Sequence, residues 1–455
     1  MRMYGLTNLI ILSLFTVIIA LSSLQAYMIK NIPCTWIGGV LTVILALLVS
    51  QCYNKFVFSR YVELIIFLLI FWLMMVTLIN IGIYNYAADL PLDSTSIYPV
   101  FIILRFLNLL FFILFLYSIV VLCNNGMISN IIRIIVIIAL AVCLFATYCY
   151  YAQILGWPEP LRTRSYVIGL NGEKIVFSSA FHRAVGSFRE PSDLAIFLII
   201  PFFFSLTLER KTEKWFVPII ILTVIFLTGS LTGLLATFIG IVVTLISVLD
   251  FKFFKTYALR LIIICTSAYL LFYGMVFPYN IVEMRIAEPT SAIPYMSGRN
   301  IEEYASKIGS SLYIIDRLKV LVLGGIQKSN RYYIYDAFFG MGMPIFGYGM
   351  GNSNILLSSI LNSDRTASFL NLYFNILYSG GIFGLLLMIL FLMLPIGRTF
   401  LRSRKKKTPI VFLVLGAYVG WLGVYFGSYE ELNLLFAVAY GLLWCCTDRA
   451  EQRKT

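Results

Sequence analysis

The chain has 455 residues, is 60% hydrophobic and 12% charged, and carries a formal net charge of +13. A mean hydropathy of +0.92 excludes an ordinary soluble domain, and runs of about 20 apolar residues mark membrane-spanning helices. With one histidine and eight cysteines, none of the cysteines in a long loop, the chain offers no disulfide framework, CxxC metal site or multi-His zinc centre.

Lipid gives the backbone no hydrogen-bond partner, so only helices and closed barrels cross it. The apolar runs are continuous rather than alternating, which selects helices. The fold class is therefore an all-α polytopic membrane protein. In chain order, spans are predicted at 9–29, 35–50, 61–83, 98–123, 131–152, 192–208, 216–228, 233–249, 257–277, 366–395, 408–427 and 431–447, twelve in all. "MRMYG" before the first run has no small-residue cleavage site after it and reads as the start of an uncleaved helix. "LTGSLTG", Leu227 to Gly233, interrupts the seventh and eighth spans; a single long tilted helix is the alternative.

An even number of spans puts both termini on one side. With that side cytoplasmic, Arg2, Lys55, Arg60, Arg133, Arg210, Lys211, Lys214, Lys252, Lys255, Arg260 and the "GRTFLRSRKKK" run all fall inside, whereas the short outer loops hold only Lys30. Two outer loops are acidic, with Asp89 and Asp93, then Glu430 and Glu431. This positive-inside pattern accounts for the net charge and argues against nucleic acid as a partner. The organisation expected is helices 1–5 over 1–152, a periplasmic loop 153–191, helices 6–9 over 192–277, a large periplasmic loop 278–365, helices 10–12 over 366–447 and a cytoplasmic tail 448–455.

The first loop gathers Arg162, Arg164, Lys174, Arg183, Arg189 and the lone His182, with "VIGLNGEKIVF" patterned as a small hairpin. Glu190-Pro191-Ser192-Asp193 then opens the sixth span, as Pro and acidic residues suit a helix N-terminus. In the second loop, Ile301, Tyr304, Ala305, Ile308, Leu312 and Ile315 share a helical face, predicting an amphipathic helix on the outer membrane surface. "NRYYIYDAFF" reads as a second helix, and "MGMPIFGYGMGNSN" as a glycine-rich turn returning the chain to the membrane. No strand feeds those glycines, so a dinucleotide site is not expected.

Arginines on an outer face are either solvated and loosely paired or gathered for an anion. A guanidinium fork matches phosphate and stays charged, and an arginine-lined hollow at the outer leaflet suits a lipid-linked pyrophosphate. Arg105 lies inside the fourth span, where a charge costs about 3 kcal/mol and commonly faces a functional cavity; snorkelling to the interface is the alternative.

The layout resembles the bacterial O-antigen polymerases (Wzy), within the O-antigen ligase/polymerase superfamily. "HRAVGSFREPSDLA" is similar to the family's R-x-x-G-x-F-x-x-P-S segment. "IFLTGSLTGLLA" resembles its break between two short helices, with Leu231 where a basic residue is common. "RYYIYDAFFGMGMPIFGYGMGNS" resembles its Arg, aromatic helix and G-x-G turn, and "ASFLNLYFNILYSGGIFGLLLMI" the span that follows, with Asn371. The match covers roughly 180–395; earlier spans match in hydropathy alone. The resemblance implies a cofactor-free, metal-independent glycosyltransferase in the bacterial inner membrane. It joins undecaprenyl-pyrophosphate-linked repeat units at the periplasmic face, with membrane lipid and a chain-length regulator as partners. Ligases of this plan carry a histidine in the second long loop; here that loop has none, which favours a polymerase.

On this reading Arg183, Arg189 and Arg331 neutralise the departing pyrophosphate where charge develops. Arg105, Arg299 and Arg317 are further substrate-binding candidates, with His182 beside them. A base must take the attacking hydroxyl's proton: Glu190 is the first candidate, with Asp316 and Asp336 behind it, while a cap or an ion pair with Arg189 is the structural alternative for Glu190. A ligase and a flippase-type transporter are the rival functions, although no internal repeat of the transporter kind is visible.

Overall fold

The computed structural model describes residues 2–53, 60–91, 97–155, 157, 158, 160, 163, 183–210, 212–248, 254–286, 341, 342, 344–363, 366–403 and 409–452. The predicted hairpin, both predicted loop helices, and His182, Arg299, Asp316, Arg317, Arg331 and Asp336 lie outside the described residues.

Thirteen helices occur among the described residues: α1 Arg2–Ser22, α2 Cys34–Cys52, α3 Arg60–Ile83, α4 Tyr98–Asn124, α5 Ile128–Leu155, α6 Pro191–Ser205, α7 Glu213–Leu227, α8 Leu231–Val248, α9 Phe254–Ile286, α10 Asn352–Ile360, α11 Leu372–Ser403, α12 Pro409–Val424 and α13 Leu434–Gln452. Seven of them, α2, α3, α4, α5, α8, α9 and α11, are long and apolar enough to cross a membrane, and α1, α6, α12 and α13 contain shorter apolar stretches. The chain is a polytopic all-α membrane protein. Among the described residues one small sheet pairs β1 Met28–Ile29 with β2 Ile32–Pro33, antiparallel.

Helix positions follow the hydropathy, with instructive departures. The first helix ends at Ser22 instead of near 29. The Ser22 and Ser23 hydroxyls bond back to the carbonyls of Ile19 and Ala20 at 2.7 Å each, and the chain then reverses through Lys30 and Asn31, both at positive φ. That is the geometry of a two-residue hairpin turn. Helix α9 runs on to Ile286, past the end of its apolar run. The 216–249 stretch is two helices, with Gly229 at φ 55° in the break between them.

Helix α6 is the centre of the bundle. All its residues from Leu194 to Ser205 are buried, which explains a sequence hydrophobic all round rather than amphipathic. Helices α5, α7, α8 and α12 pack around it. The most extensive pairing is α8 with α12, made possible by small residues: a Cβ on Gly420 would lie 2.6 Å from the Ala236 carbonyl oxygen, and one on Gly240 2.6 Å from that of Gly416. Close backbone approach of this kind replaces the hydrophobic drive that lipid removes.

Two interruptions shape the end of the bundle from which the long loops leave. At the α7–α8 break, the Ala184 amide donates to the Leu227 carbonyl at 3.0 Å and Arg183 Nε to that of Thr228 at 2.6 Å. Inside α11 the backbone leaves helical geometry at Gly381 (φ 67°, ψ −169°). The glycine-rich stretch 345–349 lies along that break. Tyr348 and Gly349 amides donate to the carbonyls of Tyr378 and Ser379 at 2.7 and 2.9 Å, and the Ile382 amide donates to the Ile345 carbonyl at 3.1 Å. Trp72 of α3 donates its indole N–H to the Gly380 carbonyl at 2.6 Å. The "GYGMG" turn is thus a structural seal.

A Cβ at Gly381 would overlap the Ile345 carbonyl oxygen, on a backbone that L side chains avoid, whereas Gly397 in the same helix faces open space. Gly381→Ala should therefore destabilise by about 1–3 kcal/mol, read as a lower melting temperature of the detergent-solubilised protein, while Gly397→Ala leaves it unchanged or raised. Equal melting of the two variants would contradict this packing.

Candidate functional site

The segment from Arg183 to Glu190 sits over the long-loop end of α6, and it is held rather than loose. Ala184, Val185 and Phe188 are buried. The Ser187 hydroxyl donates to the Ser23 carbonyl at 2.7 Å, and the Ala26 amide to the Ser187 carbonyl at 3.0 Å. Gly186 turns at φ 56°, and a Cβ there would meet Ala146 of α5 at 2.9 Å. Five residues after Gly186, Pro191 starts α6, with Glu190 in extended backbone as its N-cap. Proline suits the first helical position, where no amide is needed.

The Glu190 side chain makes no cap bond to α6, so the cap role considered for it is not the one it plays. Glu190 Oε2 accepts from the Ser192 hydroxyl at 3.0 Å. Asp193 accepts at Oδ1 from the hydroxyl of Tyr429, at 3.2 Å. Burial, and the facing Asp193 carboxylate, push the Tyr429 phenol well above its ordinary range. It therefore stays protonated and keeps donating through neutral pH.

Tyr429 lies midway along the turn between α12 and α13, and the next two residues make the other half of the site. Glu430 Oε1 accepts from Arg105 Nη1 of α4 at 2.9 Å, and Glu431 Oε1 pairs with the same nitrogen. Glu430 Oε2 also accepts from the Phe369 amide at 2.8 Å and from Asn354 Nδ2 at 3.1 Å. Asn375 Nδ2 donates to the Glu430 carbonyl at 2.8 Å, and Asn108 Nδ2 to Glu431 Oε2 at 2.6 Å. Side-chain exposures of 17% for Arg105 and 11% for Glu430 place this ion pair in a largely dry setting. One carboxylate thereby ties α4, α10, the start of α11 and the α12–α13 turn together.

Of the residues singled out from sequence, Arg183, Arg189, Glu190 and Arg105 all lie at this one end of the bundle. Arg189 and Glu190 act electrostatically on Asp193. Arg183 holds the α7–α8 break. Arg105 neither snorkels nor stands open: two glutamates take up its guanidinium. Sequence reasoning passed over Tyr429, Asn108, Asn354 and Asn375 as parts of the site, and used Asp193, Glu430 and Glu431 only as helix-start or topology signals. Asparagines inside apolar runs, and paired glutamates in a short loop of a chain with only 21 acidic residues, were the available signals. No group of three or more His, Cys, Asp or Glu fit to hold a metal ion occurs among the described residues.

Residues 216–389 match the family described as O-antigen ligase. The match runs from α7 into α11, and so contains both helix breaks. No curated protein matches the chain.

Removing Arg105 leaves two carboxylates facing each other with little water. Arg105→Met should therefore cost on the order of 3 kcal/mol. Adding Glu430→Gln and Glu431→Gln to Arg105→Met should recover much of the lost melting temperature, because no net charge then remains buried. A triple variant that melts lower than Arg105→Met would contradict the assigned ion cluster.

Proposed function

We propose, from the match of residues 216–389 to the family described as O-antigen ligase and the resemblance to O-antigen polymerases, that this chain polymerises undecaprenyl-pyrophosphate-linked oligosaccharide repeat units at the periplasmic face of the bacterial inner membrane. A glycosyl-transfer enzyme of the O-antigen ligase/polymerase superfamily moves glycan held on a lipid anchor. The reading is carried by one observation: the Arg183–Asp193 segment docks on the break between α7 and α8, within the matched region. A basic and acidic strip is thereby fixed over the central helix at the end where the long loops leave.

In the proposed step the terminal hydroxyl of one lipid-linked unit attacks the anomeric carbon of the glycan on another. The bond to the pyrophosphate breaks and the lipid pyrophosphate departs with the electron pair. Arg189 and Arg331 neutralise that group, with Arg183 beside them, and Arg299, Arg317 and His182 are further contacts of the donor. Arg105 supports the site through Glu430 and Glu431 instead of meeting substrate. Glu190 takes the hydroxyl proton, Asp316 and Asp336 being the alternatives. Support for Glu190 is that it accepts from a neutral hydroxyl, Ser192, whereas Glu430 and Glu431 are engaged by Arg105. No metal and no nucleotide sugar enters, since the donor already carries a good leaving group. A chain-length regulator is the expected protein partner.

Transfer of finished polymer to lipid A core is the second reading, favoured by the description of the matched family as O-antigen ligase. Against it, the lone histidine is His182 and none lies in 278–365. Cells carrying Arg189→Ala or Glu190→Gln should insert normal amounts of protein yet display lipopolysaccharide with single repeat units. Unchanged long ladders from both would refute the site. Undecorated core with lipid-linked polymer accumulating outside would favour the ligase, and lipid-linked units held on the cytoplasmic side would favour a flippase.

A further inference from the structure

We propose that Asp193 is a catalytic residue of this glycan transfer, taking the attacking hydroxyl's proton jointly with Glu190, and that Tyr429 is the positioning residue that aims it. The proposal rests on the glycan-transfer reading above.

Carboxylates at the long-loop end of the bundle differ in what holds them. Glu430 has three donors, one of them the Arg105 guanidinium. Taking a proton would break an ion pair and loosen α10 and the start of α11. Glu431 shares that guanidinium and Asn108. Asp89 bonds Tyr84 in an exposed turn. Glu190 and Asp193 are different: no ion pair reaches either among the described residues, and the side chains that bond them are hydroxyls, of Ser192 and Tyr429, with the Glu190 amide also acting on Asp193. A hydroxyl fixes a carboxylate's direction without neutralising it.

Asp193 is the third residue of α6, where an acidic side chain ordinarily folds back on the free amides of the first turn. The Glu190 amide acts on its carboxylate in this way, and the same carboxylate also accepts from a phenol 236 residues further along the chain. The Asp193 amide donates to the Glu190 carbonyl at 3.1 Å, so one helical turn carries both acids. Arg189 completes the group, and its charge and that of Glu190 both act on Asp193.

The step balances simply. The acceptor's O–H proton passes to the carboxylate pair as its oxygen bonds the anomeric carbon. The anomeric carbon–oxygen bond to pyrophosphate breaks, and the leaving group takes the electron pair. The pair then returns its proton to water. Tyr429 remains a donor throughout, because burial keeps its phenol protonated.

The test uses the full-length protein in proteoliposomes with its lipid-pyrophosphate-linked repeat unit, following link formation against substrate concentration and pH. Asp193→Asn should lower kcat about 100-fold, the scale of lost acid–base catalysis, with KM retained and part of the rate restored in Asp193→Glu. Glu190→Gln with Asp193→Asn should be no slower than Asp193→Asn alone, since residues acting as a unit are not additive. Tyr429→Phe should lower kcat about tenfold and move the acid limb of the pH profile upward, because Asp193 loses a donor to its charged form. It should have no further effect on Asp193→Asn. Asp193→Asn at the wild-type rate, or Tyr429→Phe slowing Asp193→Asn as much as it slows wild type, overturns this proposal alone. A wild-type protein that transfers no glycan overturns the glycan-transfer reading, and this proposal with it.

Discussion

Hydrocarbon offers no water to a broken helix, so every amide and carbonyl freed near membrane depth needs a partner from the protein. This chain breaks its helical structure at Gly229 and again at Gly381, and the long-loop end of the bundle is organised by the repairs. At the first, Ala184 and Arg183 supply donors to the carbonyls of Leu227 and Thr228. At the second, the backbone of 345–349, joined by Trp72, closes the gap. Each repair draws a polar segment down onto the bundle. Gly347 and Gly381 are needed because the two backbones come too close there for side chains.

The same scarcity of water governs the charges. Arg105 enters the bundle only because Glu430 and Glu431 meet it there, and the amides of Asn108, Asn354 and Phe369 complete their shells. The cluster makes the α12–α13 turn rigid, and Tyr429, one residue away, inherits a fixed position from which to bond Asp193. Packing, ion pairing and the placement of an acidic pair over the central helix are therefore one arrangement. A change at Arg105 reaches α6 through three adjacent residues of a single turn.

Much of the fold was legible in the sequence because the hydropathy of a span is a local property: about 20 neighbouring residues decide it. The α7–α8 break could be suspected for the same reason, since "LTGSLTG" stands out within an apolar run. Helix ends were less legible. Ser22 and Ser23 end α1 by bonding their own preceding turn, and α9 outlasts its apolar stretch. The site was visible only in part. The order of Arg183, Arg189 and Glu190 before an apolar run drew attention to the end of α6 at which Asp193 meets Tyr429. Their partners could not be read, because Arg105 and Glu430 lie 325 residues apart and Asp193 and Tyr429 lie 236 apart. Nothing local in "SYEELN" tells which helix its carboxylates will meet. Arg105 illustrates the limit: read from sequence as facing a functional cavity or snorkelling to the interface, it meets Glu430 and Glu431 of the protein itself.

The central proposal is that this arrangement at the long-loop end joins glycan units carried on lipid pyrophosphate. The most direct measurement supplies purified protein in proteoliposomes with one lipid-linked repeat unit and no other acceptor, and sizes the glycan while counting liberated lipid pyrophosphate. The account predicts a ladder of lengthening chains, with one lipid pyrophosphate released for every new linkage. Glycan that stays at single-unit length, and is consumed only once lipid A core is added, would contradict it.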